Sequence, residues 1–263
     1  MIVSHSFRAA NLKRPSICTI GTFDGVHMGH QELINRVVSQ ARQHQFHALI
    51  VTFYPHPRPM MKNIKGTYLT LPEEKAAHIA ALGVDHLVVL PFNRHTMNTT
   101  ADDFVNWMIH RCRVASLWVG NDFALGKGRG GDVAFLQAKG REHGFSVQIF
   151  SPFVLGNAVV SSSRIRAALA RGDIATANVC LGRPYSVYAA YASERRYFVH
   201  EDRAMPAPGR YHVRANGHPS IVTIPDNNST QLIFDDDVSS LNPENNPDGD
   251  MVVRFYDNYT LVN

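Results

Sequence analysis

The feature that most constrains the fold of this chain is a series of short apolar runs that do not alternate, each followed by a stretch with helical spacing. SICTIG (16–21), HALIVTF (47–53), HLVVLPF (86–92), SLWVG (116–120) and FSVQIF (145–150) are apolar along nearly their whole length. A strand with one wet face alternates; a strand covered on both faces need not. The segments between them place apolar residues on one helical face. These are Leu33, Ile34, Val37, Val38 and Ala41 in 29–44, and Ala76, Ile79 and Ala80 in 72–82, with Gly83 as a stop. Thr100 with Asp103 resembles a capping box ahead of Val105, Trp107, Met108 and Ile109, and a further helix is predicted at 132–143. Strands alternating with helices predict an α/β fold with a doubly wound parallel sheet. In such sheets ligands sit beyond the carboxyl ends of the strands, near a switch in strand order.

After residue 181 the character changes. RYHVRA (210–215), SIVTI (220–224), QLIF (231–234) and DMVVRFYDN (250–258) are short and β-like, separated by turn-forming NGHP, PDNNS and NPENNPDG. A small antiparallel, barrel-like β domain is expected there, so the chain divides into 1–182 and 183–263.

Composition narrows the function classes. The chain has 263 residues, a formal charge of +4 and scattered basic residues, which suits a handler of polyanionic small molecules rather than a nucleic-acid binder. No apolar run is long enough to span a membrane, and no secretion signal is visible at the start. Cys18, Cys112 and Cys180 are widely spaced without a CxxC, which predicts small core residues in a reducing cytoplasm rather than a disulfide or zinc framework.

The chemistry concentrates in GTFDGVHMGH (21–30), between a strand and a helix. Gly21 and Gly25 permit a tight turn and a close approach to a ligand. The helix start offers free N–H groups and the positive end of a dipole, suited to an anion. His27 and His30 are spaced so that both can donate to one polyphosphate, with Gly29 leaving room between them. SSSRIR (161–166) puts hydroxyls and cations where another helix should begin, and Ser162 and Ser163 can cap it or bind phosphate, with Arg166 one turn in. PHPRP (55–59) is a rigid proline loop presenting His56 and Arg58. Asp122 follows a strand in a glycine-bounded loop. GKGRGGD (126–132) lacks the P-loop pattern and reads as a flap.

This decapeptide resembles the HxGH phosphate-binding signature of the nucleotidyltransferase superfamily, whose sheet is Rossmann-like. With TFYPHP (52–57), the region 69–92, VGNDFALGKGRGGD (119–132), VSSSRIR (160–166) and the stretch 171–185, the chain is similar to the bacterial riboflavin kinase/FAD synthetase family in its FMN adenylyltransferase module. The resemblance implies transfer of AMP from ATP to FMN, giving FAD and pyrophosphate, with Mg²⁺ as the metal. It implies catalytic roles for His27, His30 and Arg166, and ATP contacts from Gly21, Phe23, Asp24, Gly25, His27, His30, Ser162, Ser163 and Arg166. FMN contacts are implied for His56, Pro57, Arg58 and Asp122, and Asp122 is the candidate for reaching the metal. Family members usually carry a C-terminal riboflavin kinase module marked by PTAN after a glycine-rich basic loop. Neither feature occurs here, although PAPGRYHV (206–213) resembles a later strand of that module. The expectation is a shortened relic without riboflavin kinase activity. The partners implied are ATP and FMN, with no nucleic acid and no membrane; the oligomeric state is left open.

Overall fold

The structure is a computed structural model. It describes residues 1–55, 67–193, 195–226, 229–236, 238, 241 and 250–257. The chain forms two compact units: Met1–Asn63 with Pro72–Val159, and Ile64–Leu71 with Val160–Asn263.

The first unit runs β1 (Ile2–Ser4), α1 (Phe7–Ala10), β2 (Ser16–Ile20), α2 (Met28–His44), β3 (His47–Tyr54), α3 (Pro72–Ala81), β4 (His86–Pro91), α4 (Arg94–Asn98), α5 (Ala101–Cys112), β5 (Val114–Gly120), β6 (Ala124–Leu125), β7 (Gly131–Asp132), α6 (Val133–His143), β8 (Ser146–Phe150), β9 (Val154–Leu155) and β10 (Ala158–Val159). Six strands make one sheet in the order β1-β4-β3-β2-β5-β8, and every pairing in it is parallel. The predicted doubly wound, Rossmann-like sheet is therefore present. From β2 the chain steps to β3 and β4 on one side, then to β5 and β8 on the other. The switch in strand order thus lies between β2 and β5.

Both faces are covered, which explains the absence of alternation in the strands. Ile17, Ala48, Ile50 and Leu87 pack with Leu33, Ile34, Val37 and Ala41 of α2 and Ile79 of α3. Cys18, Ile20, Leu49, Val51, Val88 and Leu90 pack on the opposite face with Phe7, Phe104, Val105, Met108 and Leu136. The Thr100 hydroxyl caps α5 by accepting from the Asp103 N–H at 3.1 Å, as its capping box predicted. The glycine-rich segment 126–132 is no free flap. β6 and β7 pair across it, Lys127 N–H donates to the Thr99 carbonyl at 2.7 Å, and Asp132 caps α6. A side-chain carbon at Gly126 would lie 2.6 Å from the Ala101 nitrogen, so the glycine permits this close approach.

The second unit holds α7 (Ser162–Leu169), α8 (Ile174–Leu181), β11 (Tyr185–Ser193), β12 (Arg196–Val199), β13 (Gly209–Ala215), β14 (His218–Ile224), β15 (Gln231–Phe234) and β16 (Met251–Phe255). The six strands close into a barrel in the order β11-β12-β15-β14-β13-β16. Inward positions recur every second residue, as in Tyr185, Val187 and Ala189, or Met251, Val253 and Phe255, and all six are buried. Closure leaves no open sheet edge. Strands β11 and β12 were not anticipated: YSVYAAYAS of β11 carries alanines that are poor strand formers, and RYFV of β12 is only four residues long. All three cysteines are buried free thiols.

Candidate active site

The loop 21–27 follows β2, and the loop beginning at Asn121 follows β5, so both leave the carboxyl ends of the strands that flank the switch in order. This is where the fold class places ligands.

In the first loop the backbone is under unusual constraint. Gly25 has φ 82°, and Phe23 and Val26, neither of them glycine, have φ 48° and 38°. A β-branched residue at positive φ costs on the order of 1–3 kcal/mol and persists only where the surroundings fix it. Those surroundings are visible. Gly21 N–H donates to the Val51 carbonyl at 3.0 Å, Val26 N–H to the Phe23 carbonyl at 3.1 Å, and Gln31 Nε2 to the Val26 carbonyl at 2.8 Å.

His27 is the N-cap of the 17-residue α2, and its Nδ1 accepts the His30 N–H at 3.3 Å. An Nδ1 that accepts is unprotonated, so the ring proton of the neutral tautomer sits on Nε2. The two imidazoles are stacked, with centroids 3.6 Å apart and planes 16° apart. The Phe23 ring, itself buried, meets His30 edge-on at 5.1 Å. Phe23 thus backs the imidazole from the core. Gly29 is explained by packing: a carbon added there would lie 3.2 Å from Phe153 Cβ and 3.4 Å from the His27 ring. Burial, then His27 and then Lys75, hold the His30 pKa well below its ordinary value, so the ring is neutral at pH 7. Its Nδ1 is buried with no hydrogen-bond partner among the described residues.

Asp24 is buried, and its charge acts on the ammonium of Lys75. Lys75 is a residue that sequence reasoning missed. PEEK at a helix start reads as a solvated face, and only the sheet topology turns the lysine inward.

Asp122 is exposed on the second loop. Its carbonyl accepts from Arg129 Nη2 at 2.8 Å, and it lines a cavity of about 300 Å³ with Asn121, Phe123, Arg129 and Asp132. A second cavity, of about 440 Å³, lies between Glu32 and Arg36 of α2 and Trp118, Phe150, Pro152 and Phe153. Among the described residues no group of three or more His, Cys, Asp or Glu side chains is placed to hold a metal. His56, Pro57 and Arg58 lie outside the described residues.

Ser162, Ser163 and Arg166 belong to the second unit. The cap of α7 is Ser161, not Ser162 or Ser163: its hydroxyl accepts the Arg164 N–H at 3.2 Å. Ser162 and Ser163 therefore occupy the first turn, and Arg166 Nη1 donates back to the Ser162 carbonyl at 3.3 Å. The structure brings together Phe23, Asp24, Gly25, His27 and His30, places Asp122 on its own cavity after β5, and gathers Ser162, Ser163 and Arg166 on one helix.

A doubly wound α/β unit with an HxGH loop at its switch point defines the class to which the first unit belongs. A family model described as FAD synthetase matches residues 9–164, and the chain belongs to that family. It is 30% identical over 248 residues to the FAD synthetase of Listeria monocytogenes serovar 1/2a, covering 93% of this chain and 98% of that protein. It is 35% identical over 173 residues to the bifunctional riboflavin kinase/FMN adenylyltransferase of Escherichia coli (strain K12), covering 65% of this chain. The match spans only 55% of the length of that relative. A crystal structure described as a macrolide-efflux protein from Streptococcus pneumoniae superposes with a TM-score of 0.79 at 21% identity, covering 97% of this chain and 88% of that one, and shows the likeness of fold. Among the described residues no helix is long and apolar enough to cross a membrane.

Proposed function

We propose that this protein is an FMN adenylyltransferase: it transfers AMP from ATP to FMN, giving FAD and pyrophosphate. The observation that carries the reading is the stacked His27–His30 pair at the N-terminus of α2, beside the switch point, in a chain of the FAD synthetase family.

An oxygen of the FMN phosphate attacks the α-phosphorus of ATP, the bond to the bridging oxygen of the β-phosphate breaks, and pyrophosphate leaves with the electron pair. The nucleophile is already anionic, so no general base is required, and catalysis is positioning and charge stabilisation. His27, with Nδ1 engaged, offers its Nε2–H to a phosphate oxygen. His30 is neutral and donates without bringing a positive charge into the stacked pair. The start of α2 adds its dipole.

Gly21 and Gly25 let the loop backbone approach ATP, Phe23 and Asp24 support that loop, and Ser162, Ser163 and Arg166 serve the departing phosphates. Asp122, with His56, Pro57 and Arg58, serves FMN. Mg²⁺ takes few protein ligands when phosphates are present. Asp122 would be the protein contact of such an ion, which when bound would neutralise phosphate charge. Modules at 1–182 and 183–263 are the functional division, the second without kinase activity because its kinase markers are missing. ATP and FMN as substrates fit a cytoplasmic enzyme. Incubation with FMN, ATP and Mg²⁺ should yield FAD and pyrophosphate, and riboflavin in place of FMN should yield no FMN. A protein that leaves FMN untouched would refute the first part, and FMN formed from riboflavin the second.

A further inference from the structure

Helix α3 buries a lysine. Lys75 is 5% exposed, although it stands in the first turn of a helix. A buried ammonium is costly unless its donors are used. Its Nζ donates to the Thr22 carbonyl at 3.1 Å, to the Thr52 hydroxyl at 3.3 Å and to the Phe53 carbonyl at 3.5 Å. The Thr52 hydroxyl donates in turn to the same Thr22 carbonyl at 3.1 Å. Thr22 is where the strained loop departs, directly before Phe23, and Thr52 and Phe53 lie near the carboxyl end of β3. One ammonium therefore stitches the loop to a neighbouring strand at the point where its backbone turns through positive φ.

Resting on the adenylyl-transfer reading of the site, we propose that Lys75 is a positioning residue for the reaction: its ammonium ties the loop that carries His27 and His30 to the end of β3 and so holds the imidazole pair in place for the phosphates. The electrostatics agree with the geometry. Burial pushes Lys75 down to about 8, against the pull of Asp24. The groups that act on His30 are His27 and Lys75, and both favour its neutral form. Loss of the Lys75 proton weakens the tie, so activity falls as pH rises through about 8.

The test uses Lys75→Met and Lys75→Gln in the full chain, each confirmed folded by circular dichroism, with two independent readouts. The first is the NMR titration of the His30 ring in the unliganded protein, which needs no turnover. Either variant should raise the His30 pKa and alter the ring-current shifts of the stacked pair. The second is FAD formation: kcat should fall about a hundredfold, the scale of a misplaced catalytic group, while KM for ATP changes less than about threefold by the same reasoning. The alkaline limb near pH 8 should be absent from both variants. An active wild type, with folded variants that keep kcat and the ring-current shifts of the stacked pair unchanged, overturns the role of Lys75 and leaves the functional reading intact. A wild type that makes no FAD, with ring-current shifts of the stacked pair that still respond to Lys75→Met, removes the functional reading while the tie stands.

Discussion

The imidazoles of His27 and His30 lie face to face at 3.6 Å, and the same His27 accepts the backbone N–H of His30. One residue thus caps a helix and orients its partner, so the pair behaves as a unit. Removing either ring should be felt by both. His30→Ala should lower kcat about a hundredfold, the usual loss for one donor that acts mainly in the transition state, with a smaller change in ATP affinity. Steady-state kinetics with a nucleotide titration distinguish the two. His27→Ala also removes the cap and should cost about 1 kcal/mol of stability besides, seen as a lower Tm.

The pH dependence of stability has a defined sign. His30 is depressed below its ordinary value by burial, then by His27 and Lys75. The unfolded chain therefore binds more protons as pH falls below about 6.5. The contribution of His30 is fully present above that value and is lost as pH falls through the folded pKa. Denaturant midpoints measured across pH 4–7, as a working range of about three units, should decline towards acid. The decline should be shallower in His30→Gln.

Gly29→Ala probes packing rather than chemistry. The added methyl would meet Phe153 Cβ at 3.2 Å and the His27 ring at 3.4 Å. Phe153 Cβ is held by its own backbone, so the His27 ring is the neighbour that gives way. Activity should drop more than tenfold, the effect of about 1.4 kcal/mol in the barrier, while Tm changes little. Parallel kinetics and calorimetry check the contrast.

Gly126→Ala is the converse case. Its φ is +75° and the new carbon would stand 2.6 Å from the Ala101 backbone nitrogen. The substitution should cost about 2 kcal/mol or more, read as a fall in Tm.

Much of this was legible in the sequence for physical reasons. Non-alternating strands such as HALIVTF signal burial on both faces, and the β3 core bears this out, with Ala48, Leu49, Ile50 and Val51 buried towards opposite clusters. The loop GTFDGVHMGH could be placed because its glycines and helix start have local geometric reasons. Lys75 was hidden, because its burial depends on strand order, which no short pattern encodes. Ser161 was overlooked as the cap among three adjacent serines of equal propensity. Strand β11 was hidden by its alanines and β12 by its length of only four residues, although Val187 and Tyr197 are fully buried in the closed barrel.

The most direct test follows the phosphorus. ATP labelled at the α-phosphate is supplied with FMN and Mg²⁺ to the wild type and to folded His30→Ala. Label should appear in FAD with the wild type, and label from the γ-phosphate should appear only in pyrophosphate, with both strongly reduced in the variant. Label from the γ-phosphate in a flavin, or an undiminished rate in His30→Ala, would contradict adenylyl transfer at this histidine pair.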